Sequence, residues 1–144
     1  MTKLRPASER VQVIEAVTRL FIATDMKDWA SVRNSFTEGV FFDMSSLDGQ
    51  VATIRSGEEI AMGWKNGLKE VPVLHHQVGN YLVTIGEGEA RVFCYGIALH
   101  HLTNEGGGKT RMFVGSYDFQ LVKTEEEWKI TLMAYHSKFI TDNG

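Results

Sequence analysis

Two histidines stand side by side in VLHHQVGN, residues 73–80, where alternating apolar residues predict a β-strand. Adjacent side chains of a strand point to opposite faces of the sheet, so one imidazole should face the core. The even positions are more apolar, which favours His76 as the inward residue and His75 as the outward one, unless a β-bulge inverts them. An inward His76 is either a general acid–base residue in a pocket or a hydrogen-bonded core or interface side chain.

A carboxylate breaks the apolar pattern of the first predicted helix. Asp25 follows Phe21 by four residues and therefore lies at the edge of the apolar stripe. A carboxylate in that position must be paired, since its desolvation is otherwise costly. The inward His76 is the obvious partner, and an Asp–His pair can act as a general base in which the carboxylate orients the ring. The alternative is a hydrogen bond from the backbone at the helix–helix junction to Asp25.

Three further side chains are candidates for substrate binding. Tyr117 shares a strand face with Phe113 and Phe119, and a phenol among apolar neighbours suits a ligand oxygen. His136 continues the apolar row of the last strand toward one end of the sheet. Trp64 lies on the buried stripe of a helix and is either a core side chain or part of a pocket wall.

The adjacent residues His100 and His101 raise the same question, namely which of the two side chains faces inward. On their strand the even face is small, with alanines, Gly96 and Cys94, whereas the odd face is bulky. A face of small residues is either the floor of a pocket or a close contact with a helix. The pattern alone leaves open which of the two histidines faces a pocket.

A metal site is not expected. Two inward histidines and Asp25 could supply a two-histidine, one-carboxylate set. The sequence has no H-x-H, H-x-x-E or H-E-x-x-H spacing, and adjacent histidines on a strand cannot chelate from one face.

The elements that must position these residues are three helices followed by long strands. Residues 7–26 have apolar residues at steps of three and four, which predicts the first helix. Asp28 is the expected N-cap of a short second helix, and Ser56 with Glu59 forms a capping box for a third. Short turns join the four long strands that follow, which predicts an antiparallel meander. The fold class is therefore α+β, with helices on one face of a curved sheet and a pocket between them.

The composition restricts the class of protein. The 144 residues fit one domain, residues 1–144, and the net charge of −3 without any basic run argues against nucleic-acid or membrane partners. Cys94 is the single cysteine, which excludes an internal disulfide. Because the chain has neither the apolar region of a signal peptide nor an apolar run long enough to cross a bilayer, we expect a cytoplasmic protein.

Three motifs and the order of the elements carry a family resemblance. DMKDW after the first helix, HHQVGN in the first long strand and EEEWKI in the last hairpin resemble the SnoaL-like group of the NTF2-like superfamily, and most of all its scytalone-dehydratase-like branch. The resemblance spans residues 8–140. It implies a cone of curved antiparallel sheet closed by helices around an apolar pocket, assembled as a homodimer or homotrimer.

The resemblance also implies roles for particular residues. The aspartate of scytalone dehydratase matches Asp25, its first histidine matches His76, and its second falls near His101. Thr24 replaces a tyrosine, while Gly115 and Tyr117 replace a serine and an asparagine, so a different substrate is expected. These features imply a small acid–base enzyme without a cofactor, a dehydratase-like lyase or an isomerase or cyclase, acting on a small, fairly apolar hydroxylated or carbonyl compound. The alternative is a non-catalytic ligand-binding or dimerisation module with the same fold.

Overall fold

The computed structural model describes residues 7–104 and 106–143, so the predicted single domain of residues 1–144 extends slightly beyond them. The described chain forms four helices and six strands. The helices are α1 (Glu9–Asp25), α2 (Trp29–Asn34), α3 (Ser45–Asp48) and α4 (Gly57–Gly67). The strands are β1 (Phe36–Asp43), β2 (Thr53–Arg55), β3 (Val73–Ile85), β4 (Glu89–Asn104), β5 (Gly107–Thr124) and β6 (Glu127–Asn143).

The helix boundaries follow from capping side chains. Asp28 accepts a hydrogen bond from the backbone N–H of Ser31 at the start of α2, and Ser56 and Glu59 form the reciprocal capping box of α4. Both caps were predicted from the sequence and are confirmed. The short helix α3 was not predicted, because its four residues are too few to show helical periodicity.

The α+β class with helices packed against a long curved sheet is confirmed. The six strands are ordered β2-β1-β6-β5-β4-β3, and β3 to β6 form the predicted antiparallel meander. The sheet as a whole is mixed rather than antiparallel, because β1 pairs in parallel with β6. This pairing needs the long connection that carries β2, α4 and the meander, which no local pattern reveals.

A β-bulge divides β3 into two halves with opposite side-chain orientation. The pairing with β4 shifts between Gly79 and Leu82, where Asn80 has a positive φ of 58°. Before the bulge His76 faces inward, as predicted. Beyond it the order inverts: Tyr81 packs against the core and Leu82 is 70% exposed. Regular alternation from His76 would place Leu82 inward as well, and the bulge is the reason why it faces outward.

A second bulge changes the face of β6. Gln120 and Leu121 of β5 pair with Leu132 and Ile130, so Thr131 is an extra residue in β6. Before the bulge the even positions are buried, and beyond it the buried side chains are those of Met133, Ala134 and Tyr135. The predicted even row therefore ends at the bulge. His136 is exposed instead of continuing that row inward.

The inner face of the sheet has a floor of small residues. In consecutive cross-strand rows, His76 lies opposite Ala98, which lies opposite Phe113, and Gly96 lies opposite Gly115 in the next row. The small even face of β4 is thus turned toward the helices, and it serves both purposes that the sequence left open. Ala98 lines the candidate cavity, whereas Ala90 and Cys94 are buried in the core and the rings of Tyr117 and Tyr135 cover the two glycines.

Among the described helices, none combines the length and the apolar character needed to span a membrane.

Candidate active site

The end of α1 fixes the position of Asp25. Lys27 adopts a left-handed conformation with φ 57°, and the backbone N–H groups of Lys27 and Asp28 return to carbonyls of the last helical turn. A left-handed lysine is unfavourable, but its ammonium group donates hydrogen bonds to the carbonyl oxygens of Leu68 (3.2 Å) and Val71 (2.7 Å). These bonds attach the end of α1 to the segment after α4. Asp25, the last residue of α1, is therefore held against β3.

Asp25 and His76 form two hydrogen bonds. The ring Nδ1 of His76 lies 2.6 Å from Asp25 Oδ1, and the backbone N–H of His76 donates to Asp25 Oδ2 at 2.9 Å. A carboxylate only accepts, so the ring carries its proton on Nδ1 and the Nε2 lone pair is available as a base. The negative end of the α1 dipole disfavours a carboxylate in the last turn, and the two hydrogen bonds from His76 offset this effect.

The pair is shielded but reachable. The side chains of His76 and Asp25 are 12% and 18% exposed, and the ring of Phe21 lies 5.3 Å from that of His76 between ring centroids. Phe21 precedes Asp25 by one helical turn, so one face of α1 supplies both the carboxylate and an apolar neighbour of the imidazole. A site that excludes bulk water strengthens electrostatic interactions within it.

His76 opens onto a cavity of about 200 Å³ between α1, α4 and the sheet floor. Most of its lining is apolar, including Phe21, Met44 and Leu47, and Trp64 forms part of the wall. Its titratable lining side chains are His76, His100, Tyr117 and Tyr135. Few polar groups that converge in an apolar pocket are typical of a small-molecule site.

The second histidine of the cavity is His100. Its ring packs against Phe113 at 4.6 Å between centroids and faces the same space as His76. Burial is the main cause that lowers the pKa of His100 from 6.5 to about 4, and repulsion from Arg111 and from the protonated form of His76 adds to it. A histidine of this kind is uncharged at neutral pH and can donate or accept a hydrogen bond without bringing a charge into the cavity.

Two tyrosines stand at the other end of the cavity. The rings of Tyr117 and Tyr135 lie 4.9 Å apart, and Phe21 packs on Tyr117 at 5.0 Å. Burial raises the pKa of both phenols, and Ser137 offsets this only in part for Tyr135. The hydroxyl of Tyr135 is buried, and the side chain of Ser137 is its polar neighbour. Both side chains therefore remain hydrogen-bond donors at working pH.

Two predicted site residues lie away from the cavity. His101 points to the opposite face from His100, where its Nδ1 lies 2.6 Å from the hydroxyl of Thr110. His136 lies on the outer face of the sheet, with Nε2 2.9 Å from Asp118 Oδ2. Strand alternation explains the first displacement and the bulge in β6 explains the second.

The other predicted residues line the cavity or support it: Asp25 behind His76, with His76, Tyr117 and Trp64 in the wall. Of the two histidines between which the sequence left the choice open, His100 lines the cavity, and Tyr135 was missed. The small face of β4 could have favoured His100 over His101. No pattern in the sequence predicted Tyr135 as a site residue, because uninterrupted alternation placed it on the wrong face of β6.

Within residues 7–104 and 106–143, no three histidine, cysteine, aspartate or glutamate side chains come together in a group that could hold a metal ion.

The chain belongs to a family described as the SnoaL-like domain, whose model matches residues 5–134. This family assignment agrees with the resemblance of the sequence motifs and covers nearly the whole site. A search of curated protein sequences finds no match to the chain.

Solved structures show the same fold at low identity. The Kfla4162 protein from Kribbella flavida superposes with a TM-score of 0.86 at 20% identity, covering 92% of this chain and 93% of that one. The "Putative Scytalone Dehydratase" of Novosphingobium aromaticivorans has a TM-score of 0.80 at 17% identity, with coverages of 94% and 88%. The hexachlorocyclohexane dehydrochlorinase LinA-type3 of Novosphingobium barchaimii has a TM-score of 0.75 at 12% identity, with coverages of 94% of this chain and 90% of that one. At these identities the similarity is one of fold.

Proposed function

We propose that the protein is an acid–base enzyme without a cofactor, a dehydratase-type lyase or an isomerase, for a small, largely apolar compound bearing a hydroxyl or carbonyl group. The observation that carries this proposal is the Asp25–His76 pair at the wall of an open, mostly apolar cavity. Similar folds bear dehydratase and dehydrochlorinase names, and both names denote eliminations in which the substrate loses a proton and a leaving group.

Each group has a distinct role in this proposal. His76 Nε2 takes a proton from a substrate carbon, while Asp25 holds the ring and stabilises the imidazolium that forms. The uncharged His100 and the phenol of Tyr117 hold the substrate oxygen. Trp64 and Phe21 form apolar walls that orient the ring of the substrate. General acid–base catalysis by one group contributes about 10² to 10⁴-fold, so the remaining acceleration comes from positioning and a preorganised environment.

The experiment is a screen of hydroxylated and keto ring compounds, followed in deuterated water by NMR and mass spectrometry. We expect at least one compound to exchange a carbon-bound proton, lose water or shift a double bond faster with enzyme than without. The same reaction should be nearly absent with His76→Gln, which keeps a side chain of similar size without a basic ring nitrogen.

The outer face of the sheet supplies a matched control. His136→Gln removes an exposed histidine that also contacts an aspartate, and it should leave the rate unchanged. Equal rates for the His76 and His136 variants would refute the assignment of the base. Binding of ring compounds without turnover of any of them would favour the alternative, a non-catalytic ligand-binding module.

We also propose that the protein assembles as a homodimer or homotrimer through the outer sheet face. This face exposes several large apolar side chains, among them Leu82 (70%), Ile97 (42%) and Phe139 (51%). Sedimentation analysis should give a dimer or trimer that Ile97→Lys dissociates. A monomeric wild-type protein would overturn this part of the proposal.

A further inference from the structure

The inner face of the sheet continues past the row of residues that contains His76. In the next inner-face row, His100 of β4 pairs with Arg111 of β5. In the row after that, Leu102 pairs with Lys109. Directly paired residues of an antiparallel sheet point to the same face, so the side chains of Arg111 and Lys109 lie on the same face as His100. Two cationic residues therefore follow the catalytic cavity along the inner face.

A depression of about 230 Å³ lies over these two rows and adjoins the catalytic cavity. The two spaces share the side chains of His100 and Phe113. Neighbouring inner-face rows are ~7 Å apart along a strand, a distance that a chain of about three methylene groups covers. A ligand with its ring beside His76 can therefore reach the depression with a short side chain. The depression is lined by Val71, His100, Leu102, Lys109, Arg111 and Phe113.

The depression carries more positive than negative charge. Arg111 forms a two-point ion pair with Asp142, with Nε 2.7 Å from Oδ1 and Nη2 3.3 Å from Oδ2. The hydrogen bond from Arg111 is the main cause that lowers the pKa of Asp142, and the charges of Arg111 and Lys109 add to it. Within residues 7–104 and 106–143, no carboxylate forms an ion pair with Lys109. Two cations therefore share the single carboxylate of Asp142.

This positive charge is local. The protein as a whole has a net charge of −3, and no described lysine or arginine lines the catalytic cavity itself. The carboxylate of Asp25 lies behind His76, where it already accepts two hydrogen bonds. An apolar cavity beside a cationic depression matches a ligand with an apolar ring at one end and an anion at the other, because ammonium and guanidinium groups form charge-assisted hydrogen bonds with carboxylates.

We propose that the depression binds a carboxylate on a short side chain of the substrate, with Lys109 and Arg111 as its partners. This inference rests on the proposed acid–base function and specifies the substrate as a ring compound that carries such a side chain. With the ring in the cavity and the carboxylate in the depression, the substrate is held at two points. Two-point binding fixes which carbon of the ring faces His76 Nε2.

The test compares two compounds with the same ring and chain length, 4-phenylbutyrate and 4-phenylbutan-1-ol. Calorimetry at pH 8 and low salt should show that the wild-type protein binds the carboxylate about 10-fold more tightly, which corresponds to ~1.4 kcal/mol. The preference should decrease at high salt, because the side chain of Arg111 is 52% exposed and its charge is screened. Equal affinities for the two compounds at low salt would overturn the proposal.

Two variants change the charge of the depression in opposite directions. Lys109→Gln should remove most of the preference for the carboxylate and leave the affinity for the alcohol unchanged, which also shows that the cavity is intact. Asp142→Asn should strengthen the binding of 4-phenylbutyrate by about two- to fivefold, because it removes the carboxylate that competes for Arg111. Weaker binding of 4-phenylbutyrate to Asp142→Asn would contradict the proposal.

A matched control removes one positive charge elsewhere on the sheet. Arg91 is an exposed residue of β4 that lines a groove on the outer face. Arg91→Gln should keep the preference for the carboxylate, although it changes the net charge by the same amount as Lys109→Gln. A loss of similar size in both variants would assign the preference to the overall charge and overturn the proposed site.

The outcomes also separate this inference from the proposed function. His76→Gln should keep the preference for 4-phenylbutyrate, because His76 does not line the depression. A preference that depends on Lys109, together with no turnover of any ring compound, would support the carboxylate site and contradict the acid–base function. Turnover that depends on His76 but is equal for neutral and anionic ring compounds would do the reverse.

Discussion

Two histidine–carboxylate pairs lie on opposite faces of this sheet. In the first, His76 Nδ1 is 2.6 Å from Asp25 Oδ1, and the side chains are 12% and 18% exposed. In the second, His136 Nε2 is 2.9 Å from Asp118 Oδ2, and the side chains are 55% and 52% exposed. The contacts have the same chemistry, so the contact alone does not distinguish a catalytic pair from a surface ion pair.

The difference lies in what surrounds each pair. Asp25 is fixed by the end of α1 and also accepts the backbone N–H of His76, which gives the imidazole one orientation toward a cavity. The outer pair stands in water, where ion pairs between exposed side chains contribute ~0–1 kcal/mol and are screened by salt. A rigid carboxylate, partial burial and an open space beside the free nitrogen are what make the inner pair suited to acid–base chemistry.

The largest expected difference between the pairs is in activity. His76→Gln and Asp25→Asn should lower the turnover of any compound found by screening by about 10² to 10⁴-fold. His136→Gln and Asp118→Asn should keep it within about twofold, since surface substitutions rarely affect a distant site. Steady-state rates measured in the same buffer check this. A loss of turnover of similar size for the variants of both pairs would contradict the difference between them.

The second difference is in stability. Asp25→Ala leaves the ring N–H and the backbone N–H of His76 without their shared acceptor, which should cost about 1–3 kcal/mol in the free energy of unfolding. Asp118→Ala should change it by no more than ~0.5 kcal/mol. Urea titrations followed by tryptophan fluorescence measure both values. Equal losses would mean that Asp25 is held no more tightly than a surface residue.

The two faces of the sheet should also differ in how well a glycine position tolerates a methyl group. Gly96→Ala should destabilise the protein by about 1–3 kcal/mol and reduce the binding of ring compounds found by the screen, because the new methyl group displaces the Tyr117 ring. Gly79→Ala is the matched control in β3, where a Cβ meets nothing within 4 Å. Thermal unfolding and calorimetry of the two variants test this. A tolerated Gly96→Ala with intact binding would contradict the close approach.

Acid should destabilise the inner face through His100. Its pKa is lowered from 6.5 to about 4 in the folded protein, so between these values the unfolded chain binds a proton that the folded protein does not. Stability should therefore fall as the pH drops from 6.5 to 4, by about 1–2 kcal/mol once the partial exposure of the ring is allowed for. His100→Gln should lose less over this range in urea titrations. An identical pH dependence would contradict a buried neutral imidazole.

The local patterns of the sequence predict most of the fold and half of the site. Capping residues placed α2 and α4, and alternation placed His76 on the inner face because no bulge lies between Val73 and His76. The apolar stripe of α1 made Asp25 conspicuous. These successes depend on interactions within a few residues of the position concerned.

The side chains misplaced in β6 share one cause. A single extra residue reverses the faces of the side chains that follow it, and Thr131 does this without a glycine or proline to mark it. His136 was therefore placed inward and Tyr135 outward, which is the opposite of the structure. The parallel pairing of β1 with β6 was missed for a different reason, because it depends on contacts between residues about ninety positions apart.

The most direct test of the central claim is the protonation pattern of the two histidines in long-range ¹H–¹⁵N NMR spectra of the wild-type protein. At pH 8, His76 should carry its proton on Nδ1, with an unprotonated Nε2 whose signal moves when a ring ketone such as α-tetralone is added. The signals of His136 should not respond to the ketone. A proton on Nε2 of His76, or a ketone response at His136 but not at His76, would contradict the assignment of the inner pair as the base.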